Sequence, residues 1–169
     1  MNKVLIIAVL ALVSIGVNAQ NVDFGVTAGY LNVRASVKVE DVSVSGSDSG
    51  FFVGFIAEFG AGDKFKVQPE LVYANVNHSG ALFLPVLGKI YLSDKFNLQV
   101  GPQFVFSLEE SIPDFSSFEL DFVGGIGVDV TDKLFVEARY SIQLNNSYTG
   151  SQDVTVKGNY LTVGIGRKF

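Results

Sequence analysis

The sequence predicts an all-β chain: an eight-stranded antiparallel up-and-down transmembrane β-barrel. Three observations predict it. After residue 20, apolar and polar residues alternate with a period of two almost throughout, which is the pattern of strands with one apolar face. Asp63-Lys64-Phe65, Asp94-Lys95-Phe96 and Asp132-Lys133-Leu134 repeat one another, each between two alternating runs, while the other polar gaps fall elsewhere. The runs are about ten residues long, enough at a tilt near 45° to cross the hydrocarbon of a bilayer. Short turns at one end of the strand pairs and longer connections at the other describe hairpins standing in an outer membrane.

Residues 1–19 read as a cleaved signal peptide. Lys3 gives a positive start, residues 4–17 are apolar, and Val17 and Ala19 are the small residues that precede a cleavage point. The apolar stretch is shorter than the roughly 20 residues of a spanning helix. Residues 20–169 then form one domain. The absence of Cys leaves no disulfide and no N-terminal thiol to carry a lipid. A net charge of −5 argues against nucleic acid as a partner.

The first run, 22–33, sets Val22, Phe24, Val26, Ala28 and Tyr30 against Asp23, Gly25, Thr27 and Gly29. Residues 34–50, rich in Ser, Val and charge, are expected to form a long loop. The second run, 51–60, places Phe51, Val53, Phe55, Ala57 and Phe59 on its apolar face. The third alternates Phe65, Val67, Pro69, Leu71 and Tyr73 with Lys64, Lys66, Gln68 and Glu70. Residues 77–80 form a short gap. In the fourth run Leu82, Leu84, Val86, Ile90 and Leu92 oppose Lys89 and Tyr91. In the fifth, Phe96, Leu98, Val100, Pro102, Phe104 and Phe106 oppose Asn97, Gln99, Gly101, Gln103 and Ser107. A loop over 108–117 holds Glu109, Glu110 and Asp114. The sixth run sets Phe118, Leu120, Phe122, Ile126, Val128 and Val130 against Glu119, Asp121, Gly125, Gly127 and Asp129. The seventh sets Leu134, Val136, Ala138, Tyr140, Ile142 and Leu144 against Glu137, Arg139, Ser141 and Gln143. A loop over 145–153 leads to the eighth, where Leu161, Val163, Ile165 and Phe169 oppose Thr162, Gly164, Gly166 and Lys168. Eight strands return both chain ends to one side, the periplasmic one.

Alternation alone does not say which face turns inward. A soluble ligand-binding barrel buries its apolar face, whereas a membrane barrel turns it to lipid. Unbroken hydrocarbon on one face, glycine mixed with both signs of charge on the other, and an export signal favour the membrane. Three-residue turns at 93–95 and 131–133 set Gly127 opposite Glu137, Gly125 opposite Arg139, Lys89 opposite Gln99 and Leu87 opposite Gly101. Glu58 then lies opposite or diagonal to Lys66. Glu58, Lys66, Glu70, Lys89, Glu119, Asp121, Glu137 and Arg139 are therefore expected to fill the lumen as a polar network whose pairing offsets desolvation. An ion path is the alternative, but an eight-stranded bore has room for side chains and little else. Pro69, Pro85 and Pro102 lack a ladder donor, and in a barrel without edges they are expected at bulges.

Several short segments carry a family resemblance. Gln68-Pro69-Glu70-Leu71-Val72-Tyr73 resembles the "QPELxY" strand of the porin-like, PorT-type outer-membrane β-barrel family. Leu84-Pro85-Val86-Leu87-Gly88-Lys89 is similar to its "LPLLxK" strand and Gly101-Pro102 to its "GP" strand. Gly124-Gly125-Ile126-Gly127-Val128 and Glu137-Ala138-Arg139-Tyr140-Ser141 resemble its glycine-rich and "xARYxxGL" strands. The resemblance implies a small outer-membrane barrel, shaped like those of the OmpA and OmpX type, with no shared catalytic residues. Leu161, Val163, Ile165 and Phe169 resemble the C-terminal signal read by the outer-membrane assembly machinery; Arg167 departs from it and can snorkel.

His78, Ser79 and Glu70 are the residue types that outer-membrane lipid A deacylases use, yet Asn-His-Ser-Gly is ordinary loop chemistry. Glu109, Glu110 and Asp114 could hold Ca²⁺, but three carboxylates in a loop usually face water. Tyr30, Tyr73, Tyr91, Tyr140 and Tyr160 fall near run ends, where an interfacial girdle is expected. No catalytic, metal or cofactor motif emerges. Expected surroundings are outer-membrane lipid and lipopolysaccharide, with an extracellular or secretion-complex partner met through the loops. The expected role is a non-enzymatic structural or surface-interaction protein; the alternative is an accessory component of a secretion or transport complex.

Overall fold

The computed structural model describes residues 22–40, 42–110 and 112–169; the expected signal peptide lies outside them. Eight strands follow in order: β1 (Val22–Val39), β2 (Val42–Gly60), β3 (Phe65–Val76), β4 (Ser79–Tyr91), β5 (Phe96–Ser107), β6 (Phe118–Asp129), β7 (Leu134–Gln143) and β8 (Val154–Lys168). Each pairs antiparallel with its sequence neighbours, and β1 pairs with β8, so the sheet closes as an up-and-down barrel. Closure pairs the backbone groups that an open sheet would leave bare in lipid, the condition for a β-structure to cross a bilayer.

The three repeated turns lie at one end of the barrel, together with Val22 and Lys168. They share one geometry: the amides of Ala61, Leu92 and Val130 donate to the carbonyls of Phe65, Phe96 and Leu134 at 2.9, 2.9 and 2.8 Å. In two of them a hydroxyl one position before the Asp closes the turn. Ser93 Oγ accepts from the Phe96 amide at 3.1 Å, and Thr131 Oγ1 from the Leu134 amide at 2.9 Å. The apolar residue ending each repeat then restarts the outward face.

The opposite end differs from expectation. Residues 34–39 and 42–50 are paired strand and not loop, because β1 and β2 stay in one register from Val22↔Phe59 to Val39↔Val42. Glu40, at φ 52°, begins the reversal. Period-two alternation persists through this segment, but its phase reverses. Outward positions on β1 run Phe24, Val26, Ala28, Tyr30 and then Asn32, Arg34, Ser36, Lys38. The valines Val33, Val37, Val39, Val42 and Val44 move to the inward side. Residues facing lipid must be apolar and residues facing water need not be, so the reversal near Tyr30, Phe51 and Leu161 places the membrane boundary. Tyr30 sits there, its hydroxyl 2.6 Å from Ser49 Oγ. The gap at 77–80 is likewise a two-residue hairpin, Val76 pairing with Ser79 across Asn77 and His78 at φ 48° and 70°. Positive φ at both central residues is what a strand-compatible tight turn demands. Ten-residue loops remain only at 108–117 and between β7 and β8.

The prolines do not sit at bulges. Register is unshifted across Pro69, Pro85 and Pro102. Each instead faces a two-residue gap in the ladder toward the preceding strand and remains paired with the following one, at Val86, Gln103 and Phe122. The missing donor leaves a gap in the ladder, and closure on both sides holds the register.

Candidate functional site

The outward surface from Phe24 and Phe55 to Leu71, Phe122, Ile126, Ile142 and Ile165 is exposed and apolar. A soluble monomer rarely shows an apolar patch beyond a few hundred Å². A soluble barrel with a buried apolar face is thereby excluded, and the polar side chains gather in the lumen and at its mouths.

The lumen at the turn end is ionic. The Glu58 carboxylate, 1% exposed, accepts from three ammonium groups: Lys66 at 2.6 Å, Lys168 at 2.7 Å and Lys89 at 2.8 Å. Lys168 also lies 3.8 Å from Asp129, which accepts from the Tyr91 hydroxyl at 2.9 Å. Lys89 donates to Gln68 at 3.0 Å, and Gln68 donates to Glu70 at 2.6 Å. Arg139 grips Glu70 bidentately at 2.7 and 2.8 Å, reaches Glu137 at 2.7 Å, and donates its Nε to Gln99 at 2.7 Å. The Phe135 ring lies 5.4 Å from Lys89 Nζ and 5.8 Å from Lys168 Nζ, within cation–π range. Four carboxylates thus meet four cations. Unpaired, each would cost several kcal/mol to bury.

Sequence makes room for this layer on the neighbouring strands. β7 points Phe135, Glu137 and Arg139 inward. Gly127 and Gly125 of β6 lie opposite Glu137 and Arg139, and Gly166 and Gly164 of β8 lie opposite Phe135 and Glu137. A Cβ at Gly125 would come within 2.7 Å of the Ala138 carbonyl and of Arg139 Cγ, and one at Gly166 would strike the Phe135 ring. Lys89 likewise pairs with Gln99, while Lys66 reaches Glu58 on the diagonal. Leu87 and Gly101 keep the same register inside a ladder gap.

Toward the hairpin end the character changes. Asp121 accepts from Gln103 at 2.9 Å, and its second oxygen has no partner. Above it Leu31, Phe52, Val72, Ala74, Phe83 and Val105 form an apolar plug. Tyr160 packs edge-on against Phe83, ring centres 5.0 Å apart, and donates its hydroxyl to Glu119 at 2.7 Å. Beneath this pair lies a cavity of about 20 Å³, room for one water. Above it a cup of about 200 Å³ opens between the strand ends. Gln68, Lys89 and Asp121 have 0% exposed surface, so the bore is closed.

The eight lumen candidates all turn inward, with Lys66 partly covered at 32% side-chain exposure. Lys168, Gln68, Gln99 and Phe135 also belong to the network, and their parity with Gly166, Glu70, Asn97 and Glu137 is the signal that marks them. Leu161, Val163, Ile165 and Phe169 form an exposed outward column. His78, Ser79 and Glu70 are not brought together: His78 lies in the hairpin turn, while Glu70 is held by Arg139 deep in the lumen. Glu109 accepts from the Gly80 amide at 2.9 Å, and among the described residues no group of His, Cys, Asp or Glu is placed to hold a metal. The tyrosine girdle is partial. Tyr30, Tyr73 and Tyr140 face outward, but Tyr91 and Tyr160 turn into the lumen because they share the parity of Lys89 and Gly158.

A closed barrel with a hydrocarbon exterior and a filled, charge-paired interior defines a small outer-membrane β-barrel protein. The chain belongs to the family described as outer membrane protein beta-barrel domain, which it matches over residues 5–169. No curated protein matches it in sequence. Among solved structures it is similar to Ail, the attachment invasion locus protein of Yersinia pestis, solved with the heparin analogue sucrose octasulfate. Identity there is 15%, the match covers 89% of this chain and 100% of that one, and the TM-score is 0.50. Neisserial surface protein A is similar at 14% identity, with 89% and 100% covered and a TM-score of 0.50. OprG of Pseudomonas aeruginosa is 15% identical over 87% of this chain and 95% of that one, with a TM-score of 0.44. These likenesses concern the fold.

Proposed function

We propose that this chain is a non-enzymatic, non-conducting outer-membrane barrel that acts as a surface-interaction protein. In this reading the turn end, with both described termini, faces the periplasm, and the hairpin end faces outward. The outward column Leu161, Val163, Ile165 and Phe169 is what the assembly machinery would recognise during insertion into lipid and lipopolysaccharide.

One observation carries the reading. β1, β2 and β8 continue past the membrane boundary as a projecting sheet, and β2 has a free edge there. β3 pairs with β2 only as far as Gly50↔Val76, so residues 42–49 have no neighbour on that side among the described residues. The far edge of the projection is capped instead, since Asn146 Oδ1 accepts from the Val156 amide at 2.8 Å and Gln143 Oε1 accepts from the Gly158 amide. A row of free backbone donors and acceptors is a template for an added strand.

The test joins Ala35 to Gly46 through a two-residue turn, removing the projecting tip where these residues already pair. A photocrosslinker at Ser47, which the trim retains, is expected to capture an extracellular partner of the full chain in whole cells, and the trimmed barrel is expected to insert normally but lose that capture. Recovery of a stoichiometric secretion complex from solubilised outer membrane, unaffected by the trim, would replace this reading with that of an accessory secretion component.

A further inference from the structure

We propose that the cup at the hairpin end is a binding site for a small organic monocation, an amine on an apolar body about the size of one aromatic ring. Size comes first. The cup holds about 200 Å³, lined by Leu31, Val33, Ala74, Val76, Phe83 and Val105 among others. A dry apolar cavity of about 150 Å³ accepts benzene, so one ring and a short amine arm fit. Its floor is the Phe83–Tyr160 pair. Below that the lumen is filled, so the cup binds a molecule without passing it on.

Charge comes second. Glu119 is the charged residue in the lining. Its carboxylate accepts only from neutral hydroxyls, Tyr160 at 2.7 Å and Ser147 at 3.3 Å. A carboxylate offers about four acceptor positions, which leaves room for an ammonium. Asp121 lies two residues along the same face, with 0% exposure and one oxygen unpartnered. Among the described residues neither Glu119 nor Asp121 has a cationic partner, whereas the ion pairs of the turn-end layer join four acids to four bases. The hairpin end of the lumen therefore holds two carboxyl groups with no cationic partner among the described residues, Glu119 in the hydrocarbon wall of the cup and Asp121 deeper, outside that wall. A cation with an apolar body complements the Glu119 carboxylate and the hydrocarbon around it. Ser79, Ser107 and Ser117 around the rim supply further oxygen acceptors for its N–H groups.

The probe is 2-phenylethylamine, titrated into the full chain in lipid nanodiscs and followed by amide NMR shifts at Gly80, Ala81 and Ser107. Saturable binding is expected, with 2-phenylethanol and 3-phenylpropionate weaker by about tenfold or more, the factor that corresponds to losing one charge-assisted hydrogen bond. Glu119→Gln is expected to weaken the amine alone and leave the alcohol unchanged. Ala81→Phe, which fills the cup and leaves the carboxylate in place, is expected to abolish both. Equal affinity of the unaltered chain for amine and alcohol overturns the proposal even if Glu119→Gln fails to fold. So does amine binding that survives Ala81→Phe.

Discussion

Glu58 shows how a single side chain organises the interior. Its two oxygens hold three ammonium groups, two of them on side chains at most 6% exposed. Removing the carboxylate strands those lysines among hydrocarbon and one another. Glu58→Ala is expected to destabilise the folded barrel by about 3–5 kcal/mol, the cost of breaking a buried ion pair. Lys66→Ala removes the solvent-screened partner and is expected to cost less than about 1 kcal/mol. Urea unfolding of both variants, read by the heat-modifiable gel shift, separates the two outcomes; equal losses would mean that Glu58 is not the hub. Gly125 makes the complementary case. Gly125→Val places methyl groups against the Ala138 carbonyl and Arg139, and a marked fall in refolding yield is expected. Its role was legible from the pairing rule, because a large charged residue on β7 needs a vacancy beside it on β6.

Hairpin chemistry decides how the strands are joined. Asn77 and His78 both occupy left-handed backbone. Asparagine tolerates it well; histidine does so at a cost of about 1 kcal/mol relative to glycine. His78→Gly is therefore expected to raise the unfolding midpoint, corresponding to about 1 kcal/mol. The same variant bears on chemistry: a deacylase that used His78 would lose activity, and none is expected to be lost, since Glu70 is committed to Arg139. At this scale the sequence was read correctly where apolar phase and strand coincide, as in β5, β6 and β7. It was misread at 34–50 because a strand in water need not alternate outward hydrocarbon. Ser, Val and Lys there keep the period of two and change only its sense. The prolines were misread for a related reason: a bulge is one way to absorb a missing donor, and a paired neighbour on the opposite side is another.

The whole molecule joins an exterior that requires lipid to an interior that side chains close. With Gln68, Lys89 and Asp121 sealed from water, planar bilayers containing the protein are expected to show no stable conductance steps. Large, uniform steps would refute the closed lumen. Cell fractionation is expected to place the chain in the outer membrane with heat-modifiable mobility, and recovery from the soluble periplasm would reject the proposed location. The sequence by itself determined the eight strands, their order and the turn-end register. Those follow from local alternation and turn chemistry, which each segment carries alone. Only the tertiary structure decided that the interior divides into a charge-balanced layer and an apolar plug with two unpaired acids. It also decided that Lys168 joins β8 to Glu58 on β2, and that β1, β2 and β8 project together. Those features depend on closure, which brings side chains from strands far apart in sequence to the same depth of one narrow bore. No local pattern records that depth.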